Sequence, residues 1–200
     1  MAISASEVKE LRDKTGAGFM DCKSALTEAD GDVEQAVTIL RKRGIAKAEK
    51  RAGRTTSEGV VGSYIHMGGK VGVLVEVGCE SDFVARTDEF QELVREIAMH
   101  IAAASPQYVT RDEVPDADIE REQDIFRAQF EDSNKPADVI DKIVDGKINS
   151  YYQQVVLLDQ PSIRDPKTSI GDMVTAAVAK MGENITIARF ARFKVGESPS

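Results

Sequence analysis

The sequence has few of the residues on which cross-links and metal sites usually depend. Among its 200 residues are two cysteines, two histidines and no tryptophan. Cys22 and Cys79 stand far apart, which excludes a disulfide framework, and neither shows the paired spacing of a metal site. His66 and His100 also lack a partner at metal-ligand spacing. We therefore expect ordinary structural places for both histidines, His66 beside a turn and His100 on a helix surface.

Long apolar runs and excess positive charge are also missing. The longest apolar stretches, such as residues 71–75, are strand-sized and far short of the roughly 18 residues that cross a membrane. The first seven residues lack the basic and apolar regions of a signal peptide. The net charge is −8, which disfavours general nucleic-acid binding. We expect a soluble cytoplasmic protein with no membrane partner and no direct nucleic-acid partner.

Signatures of covalent catalysis and of cofactor binding are absent. Gly68–Lys70 is no phosphate loop, because Tyr64 stands where the loop's first glycine belongs and Val71 where a magnesium-binding hydroxyl belongs. Gly16–Gly18 is no dinucleotide fingerprint, because Asp21 holds the place of its third glycine. No Gly-x-Ser-x-Gly elbow occurs either. The sequence therefore predicts a protein that is not an enzyme, with no cofactor and no metal.

The first part of the chain shows the pattern of three short helices. A capping box at Ser4 begins the first helix, and Gly16 is a stop signal for it. A second helix is expected over residues 21–28. A third follows the cap residue Asp32 and is expected to end at Gly44. Three helices in this length form a compact bundle.

The apolar period changes to two after Glu58. Residues 59–77 alternate around a glycine-rich turn and predict a β-hairpin. The order of helix bundle, hairpin, helices and strand indicates an α+β fold, with a small antiparallel sheet packed by helices. The later elements are expected as helices over about 90–105, 116–132, 137–158 and 168–181, and as a final strand over 183–195.

Charge is unevenly distributed and indicates a boundary near Arg54. Residues 41–54 hold seven basic residues and one acid, whereas residues 112–145 hold 12 acids and four bases. We predict two domains, residues 1–54 and residues 55–200. The basic segment is either a contact for an acidic partner or ribosomal RNA, or a solvated linker; charge runs are more often solvated, which favours the linker.

Two segments resist a purely structural explanation. Phe19 and Met20 are adjacent on a predicted inter-helix connection, where both can hardly point inward. They form either an exposed apolar contact or a hydrophobic staple that closes the bundle. The second segment leaves a strand, crosses Glu80–Asp82 and places Phe83 at the edge of the next helix. Taken alone, such a phenylalanine is more often core than functional.

The same two segments resemble the translation elongation factor Ts family, the guanine-nucleotide exchange factors of elongation factor Tu. The resemblance covers essentially the whole chain. The chain is most similar to the short, single-core form of the family. Ser81 replaces the family's usual threonine, and Gly78 stands where asparagine is common. The matching motifs are Leu11-Arg12, Thr15-Gly-Ala-Gly18, Asp21-Cys-Lys23, Ala25-Leu26, Gly59-Val-Val-Gly-Ser-Tyr-Ile-His66, Ser81-Asp-Phe-Val84, Ala98-Met-His-Ile-Ala102, Gly182-Glu-Asn-Ile185, Arg189-Phe190 and Val195-Gly-Glu197.

The resemblance implies a fold, a partner and a mode of action. It implies a ubiquitin-associated-like bundle at residues 1–54 that contacts the GTPase, followed by an α+β core at 55–200. Elongation factor Tu would be bound in its GDP-bound and nucleotide-free states, and exchange of GDP for GTP promoted by dislodging magnesium and loosening the phosphate site. Short members of the family also suggest a homodimer.

The resemblance also implies which residues act. In the core, the residues implied to displace magnesium and bind the partner are Ser81, Asp82, Phe83 and Val84. Phe83 would be an apolar wedge, Asp82 would fix the tip of the loop, Ser81 would cap the turn and Val84 would seat it. In the N-terminal module, the implied partner-binding residues are Leu11, Arg12, Thr15, Gly16, Phe19 and Met20.

Two other functions stay open on the residues alone. An adaptor could use its three-helix bundle to recognise ubiquitin-like or nucleic-acid partners, which suits the basic segment but leaves residues 81–84 without a role. An enzyme could have its site in the acidic region 112–145. That hypothesis is the weakest, since no nucleophile, metal set or phosphate loop lies there.

Overall fold

The computed structural model describes residues 3–130, 133 and 135–197. Short 3-10 turns lie at Arg111–Glu113 and Leu157–Asp159. The other elements, in chain order, are α1 (Ala5–Thr15), α2 (Phe19–Glu28), α3 (Val33–Glu49), β1 (Glu58–Ile65), β2 (Val71–Cys79), α4 (Asp82–Ala85), α5 (Asp88–Ala104), α6 (Asp116–Ala128), α7 (Ala137–Val155), α8 (Ile170–Met181) and β3 (Ile185–Lys194).

The first three helices form the predicted bundle. Ser4 and Glu7 close the capping box at the start of α1, and Gly16 ends that helix in the left-handed region at φ 68°. Glycine suits this position because it has no Cβ to clash there. The buried side chains that fill the bundle are Val8, Leu11, Cys22, Ala25, Leu26, Ala29 and Ala36.

Two helix boundaries in the bundle differ from the prediction. Helix α2 begins at Phe19 rather than at residue 21, because extended Gly18 takes the N-cap position. Helix α3 does not end at Gly44 but continues to Glu49. A helical glycine costs only about 1 kcal/mol, and here it admits a close neighbour. A Cβ on Gly44 would lie 3.4 Å from that of Ala179 on α8.

The sheet has three strands in the order β1-β2-β3. The predicted hairpin supplies β1 and β2. Strand β3 runs antiparallel to β2, since Gly78 lies beside Thr186 at one end, and the Val195 amide donates to the Lys70 carbonyl at the other. Side chains of β2 alternate, so that Val73 is buried while Leu74 is exposed. One face of the sheet is therefore core and the other is open.

The later helices keep their predicted order but have shorter bounds. Helix α6 ends at Ala128, and Asp132, where we predicted its end, lies outside the described residues. Helix α7 ends at Val155 and is followed by a 3-10 turn rather than more helix. Helix α8 begins at Ile170, because the Ser169 hydroxyl accepts the Asp172 amide and so caps it. The fold is α+β, as predicted.

Contacts divide the chain into two compact units. The first comprises the chain through Val60, residues 77–93 and residues 173–186; the second comprises residues 61–76, residues 94–172 and the chain from Ile187 onward. The first unit thus contains α1–α3 together with residues 80–84. The domains at 1–54 and 55–200 stay a prediction. Within the described residues, no helix is both long and apolar enough to cross a membrane.

Candidate functional site

A tight turn connects β2 to the one-turn helix α4 and carries the motif at residues 81–84. Ser81 is the N-cap of α4, and its hydroxyl accepts the Val84 amide at 3.4 Å. The Asp82 carboxylate pairs with the Arg86 guanidinium one turn later, at 2.8 Å. Val84 is half-buried, so the backbone on both sides of Phe83 is anchored.

Phe83 itself points away from the protein. Its exposed fraction is 79%, in contrast to Phe90 on the next helix, which is fully buried. The interpretation of Phe83 as a core residue is therefore wrong. Exposing an aromatic ring of this size forgoes roughly 2 kcal/mol of burial free energy. An apolar side chain held out from an ordered turn is suited to entering a partner's surface.

A carboxylate from the segment between α8 and β3 holds the turn. One oxygen of Glu183 accepts the amides of Glu80 and Ser81 at 3.1 and 2.9 Å, and its other oxygen accepts the Ser81 hydroxyl at 2.6 Å. In return, the Glu80 carboxylate accepts the Asn184 amide at 2.6 Å. It also pairs with the Arg54 guanidinium at 3.4 Å. We call Arg54, Glu80, Ser81, Glu183 and Asn184 the turn network.

The turn network shifts the pKa values of two titratable groups, Glu80 and Cys79. The hydrogen bond from the Asn184 amide is the main reason that the pKa of Glu80 lies below its ordinary value, because that bond favours the charged carboxylate. Burial raises the pKa of the Cys79 thiol, and the nearby Glu183 carboxylate adds to that increase. Cys79 donates to the Ser81 carbonyl at 3.1 Å, so the thiol serves as one more support of the turn.

Phe19 and Met20 form a second exposed apolar surface in the same compact unit. Both lie in the first turn of α2, with exposed fractions of 44% and 71%. This exposure disfavours the hydrophobic staple and favours the apolar contact. Arg12 on α1 and Gly16 in the turn after it are exposed as well. We call Arg12, Gly16, Phe19 and Met20 the N-terminal surface.

Two residues of the implied N-terminal set lie beneath this surface. Leu11 is 1% exposed and packs in the bundle core, so its side chain supports the surface and cannot itself supply contact area. Thr15 is half-buried; its hydroxyl donates to the Leu11 carbonyl at 2.7 Å and accepts the Ala17 amide at 3.3 Å. Thr15 thereby shapes the turn that precedes Phe19.

Much of the basic segment is engaged in ion pairs within the chain. Arg43 pairs with Glu28 at 2.5 Å, and Lys47 with Asp21 at 2.8 Å. Most of the segment is the second half of α3 rather than a linker. These pairs lower its capacity to attract an acidic partner, since part of the positive charge is already compensated.

The two histidines occupy different environments. His66 lies at the hairpin turn as predicted, but His100 is buried at 1% exposure and not on a helix surface. Its Nε2 atom lies 2.8 Å from Oε1 of Gln160, and a hydrogen-bond partner of that kind is what permits burial. Among residues 3–130, 133 and 135–197, no cluster of three or more His, Cys, Asp or Glu side chains could hold a metal ion.

The turn network includes residues to which the sequence assigned no role. Glu183 and Asn184 belong to Gly182–Ile185, a motif that matched the family without an assigned function. Arg54 appeared only as the end of a charge run. Glu183 lies more than 100 positions after its partners in the turn, and no local spacing in the sequence reveals such a contact.

Comparisons with known proteins agree with one another. The family model described as Elongation factor TS matches residues 8–197. The Elongation factor Ts of Fervidobacterium nodosum is 58% identical over 197 residues, covering 98% of this chain and 100% of that protein. The Elongation factor Ts of Geobacter sulfurreducens is 55% identical over 197 residues, covering 98% and 91%. That of Caldanaerobacter subterraneus is 55% identical over 195 residues, covering 98% of both chains.

The family match extends over nearly all of the described chain and includes both exposed apolar surfaces. The chain therefore belongs to the elongation factor Ts family, whose members are translation factors of protein biosynthesis.

Proposed function

We propose that this protein binds elongation factor Tu, in its GDP-bound and nucleotide-free states, and promotes exchange of GDP for GTP. It acts by binding alone and carries out no covalent chemistry. The exposure of Phe83 on a hydrogen-bonded turn carries the proposal. Because the proposed partner is a translation factor, we place the action of the protein in the cytoplasm.

The exchange follows from linkage between two ligands of one GTPase. A GTPase of this kind holds its nucleotide through a phosphate loop and a magnesium ion that bridges phosphate oxygens. If the exchange factor binds the distorted, nucleotide-free form more tightly, nucleotide affinity must fall by the same factor. A tenfold loss of GDP affinity requires about 1.4 kcal/mol of differential binding, which one well-seated aromatic side chain can supply.

Residues 81–84 have separate parts in this mechanism. Phe83 enters the partner as an apolar wedge and displaces the groups that hold magnesium. Asp82 fixes the tip of the loop through its ion pair with Arg86. Ser81 caps the turn, and half-buried Val84 seats it against the protein.

The N-terminal surface supplies affinity rather than displacement. Phe19 and Met20 offer exposed apolar area on α2, and Arg12 offers an exposed charge on α1. We assign to this surface the grip on the nucleotide-binding domain of the GTPase. Leu11 and Thr15 hold it in shape from below.

The deciding experiment measures release of labelled GDP from elongation factor Tu. Wild-type protein is expected to accelerate release, and Phe83→Ala to lose most of that acceleration, by about tenfold or more. The matched control is Ile163→Ala, which also removes an exposed apolar side chain but leaves both surfaces intact; it should match wild type.

The other outcomes separate the remaining hypotheses. Equal acceleration by wild type and Phe83→Ala would keep the exchange function and reject the wedge. No acceleration by wild type would reject the exchange function, and binding to RNA without a GTPase would then favour the adaptor. Turnover of a substrate without added GTPase would favour the enzyme.

We also propose that the protein forms a homodimer through the open face of its sheet. Exposed apolar side chains of the second compact unit line a shallow depression there, together with Ser63 and Gly72. Exposed apolar patches of this kind commonly mark protein contacts, and a second copy would offer the same patch in return. The exposed apolar residues that line this depression are Ile65, Leu74, Phe193 and Val195.

Sedimentation equilibrium tests the dimer. Wild-type protein is expected to sediment as a dimer at micromolar concentration, and Leu74→Glu as a monomer, because a charge on the patch would have to be desolvated. Ile163→Glu is the control outside the patch. A monomeric wild type, or a dimeric Leu74→Glu, would overturn the proposal.

A further inference from the structure

An exposed wedge raises the question of what fixes its direction. With 79% of its surface exposed, Phe83 makes too few contacts with its own chain for packing to hold it. The orientation of the ring must therefore come from the backbone on either side of it. Helix α4 has only four residues, too few to be stable by itself. The contacts made by the motif itself therefore need further support from outside it.

Glu183 provides that support at three successive points of the turn. Its carboxylate binds the amides of Glu80 and Ser81 and the Ser81 hydroxyl, with all three distances between 2.6 and 3.1 Å. The Ser81 hydroxyl has one hydrogen, which it donates to Glu183, and it accepts the Val84 amide with a lone pair. One carboxylate thus fixes the entry into α4 and orients its N-cap.

The segment that carries Glu183 is itself anchored. Gly182 ends α8 with φ at 79°, its amide donating to the Val178 carbonyl at 3.0 Å. The next residue, Asn184, donates its backbone amide to Glu80 and its side-chain amide to the Arg54 carbonyl. Glu183 is therefore presented from the junction of a helix and a strand, which is a rigid mount.

We infer that Glu183 is a positioning residue for Phe83, acting through Ser81; this inference rests on the proposed exchange function. Glu183 touches no part of the GTPase in this role. It restricts the turn to the conformation in which the ring projects, and so reduces the ordering cost when the ring enters its partner. The same geometry explains why serine can replace the family's usual threonine at position 81, since the hydroxyl is the only part of the side chain that makes these hydrogen bonds.

The test combines GDP release with amide exchange. Glu183→Ala is expected to lower the maximal rate of stimulated GDP release about tenfold, with a smaller change in the half-saturating concentration because the N-terminal surface is intact. Glu183→Gln keeps one carbonyl acceptor for the two amides and should fall between. Hydrogen exchange at the amides of Glu80 and Ser81 should accelerate in Glu183→Ala, while that of α1–α3 stays unchanged.

A double variant separates positioning from a general loss of structure. If Glu183 acts through Phe83, adding Glu183→Ala to Phe83→Ala should cause no further loss of GDP release. The control is Asp159→Ala, which removes a carboxylate paired with Arg111 at 2.5 Å in the second compact unit; it should release GDP as wild type does.

The outcomes distinguish this inference from the function beneath it. If wild type accelerates release and Glu183→Ala does so equally, the positioning role is overturned and the exchange function stands. Additive losses in the double variant would also overturn it, because they would show an effect independent of Phe83. If wild type does not accelerate release, the exchange function fails and the inference falls with it.

Discussion

His100 and Gln160 share a buried hydrogen bond whose direction is fixed. The Nε2 atom of Gln160 donates to the Gln154 carbonyl at 2.7 Å, so its Oε1 atom is left to accept from Nε2 of His100 at 2.8 Å. The proton of the neutral imidazole therefore lies on Nε2. Among the residues that the structure describes, the buried Nδ1 atom has no hydrogen-bond partner, so none of them accepts a second proton.

Stability should therefore fall as the solution becomes mildly acidic. Burial lowers the pKa of His100 below its ordinary value of 6.5, although the bond to Gln160 opposes this. The unfolded chain takes up the proton as pH falls through about 6.5, and the folded protein only at lower pH. Stability present above that pH is lost below it. Urea unfolding at about pH 7.5 and about pH 5.5 measures this loss. His100→Gln should reduce it, and an unchanged loss would contradict the assignment.

Two glycine substitutions should have opposite effects on stability. Gly59 has φ at 148°, and a Cβ there would lie 2.2 Å from the Val77 carbonyl oxygen. Gly59→Ala should therefore cost about 2 kcal/mol or more. Gly146 lies inside α7, and no atom of the described part of the chain comes within 4 Å of an added Cβ. Gly146→Ala should gain about 1 kcal/mol. Thermal and urea unfolding measure both, and a stable Gly59→Ala would refute the close approach.

Leu11 and Met20 should separate stability from binding. Leu11→Ala removes a buried side chain from the bundle core and should cost about 3 kcal/mol in the free energy of unfolding. Met20→Ala removes a side chain that is 71% exposed, so stability should change by less than about 0.5 kcal/mol. Its affinity for elongation factor Tu should fall about tenfold. Calorimetric titration measures that affinity, and unchanged binding by Met20→Ala would show that Met20 takes no part in binding.

The Cys79 thiol should be slow to alkylate. Burial raises its pKa, and the Glu183 carboxylate adds to that effect, so little of the reactive thiolate is present near neutral pH. Iodoacetamide labelling followed by peptide mass spectrometry should show Cys79 reacting about 100-fold more slowly in the folded protein than in urea. Equal rates in the two states would mean that the thiol is accessible and that the turn around it opens readily.

The parts of the fold that could be predicted are those with local signals. The capping box at Ser4 and the two-residue period of the hairpin depend on neighbours in sequence, and both were confirmed. The predicted end of α3 at Gly44 was wrong, because the glycine serves a tertiary contact there: it allows the close approach of Ala179. His100 was wrongly placed on a surface because Gln160, its partner, lies 60 positions away.

The candidate site shows the same division. Residue statistics favoured a buried Phe83, and only the family motif singled it out as a contact residue. The exposure of Phe83 depends on how the chain passes from β2 into α4. A four-residue helix is too short to show a hydrophobic period in the sequence. Glu183 was missed because its hydrogen bonds to the turn join residues about 100 positions apart. Whether these residues act as proposed is decided by the GDP-release measurements.

The distance in sequence between Ser81 and Glu183 also sets an order of events during synthesis. The chain leaves the ribosome from its N-terminus, so Phe83 emerges well before the carboxylate 102 positions from Ser81. Closing a loop of that length is entropically costly and comes late in folding. A nascent chain therefore presents the aromatic ring on a turn without its brace. If Glu183 positions Phe83 as inferred, the protein gains its exchange activity only when the segment between α8 and β3 has docked, which would couple that activity to completion of its own fold.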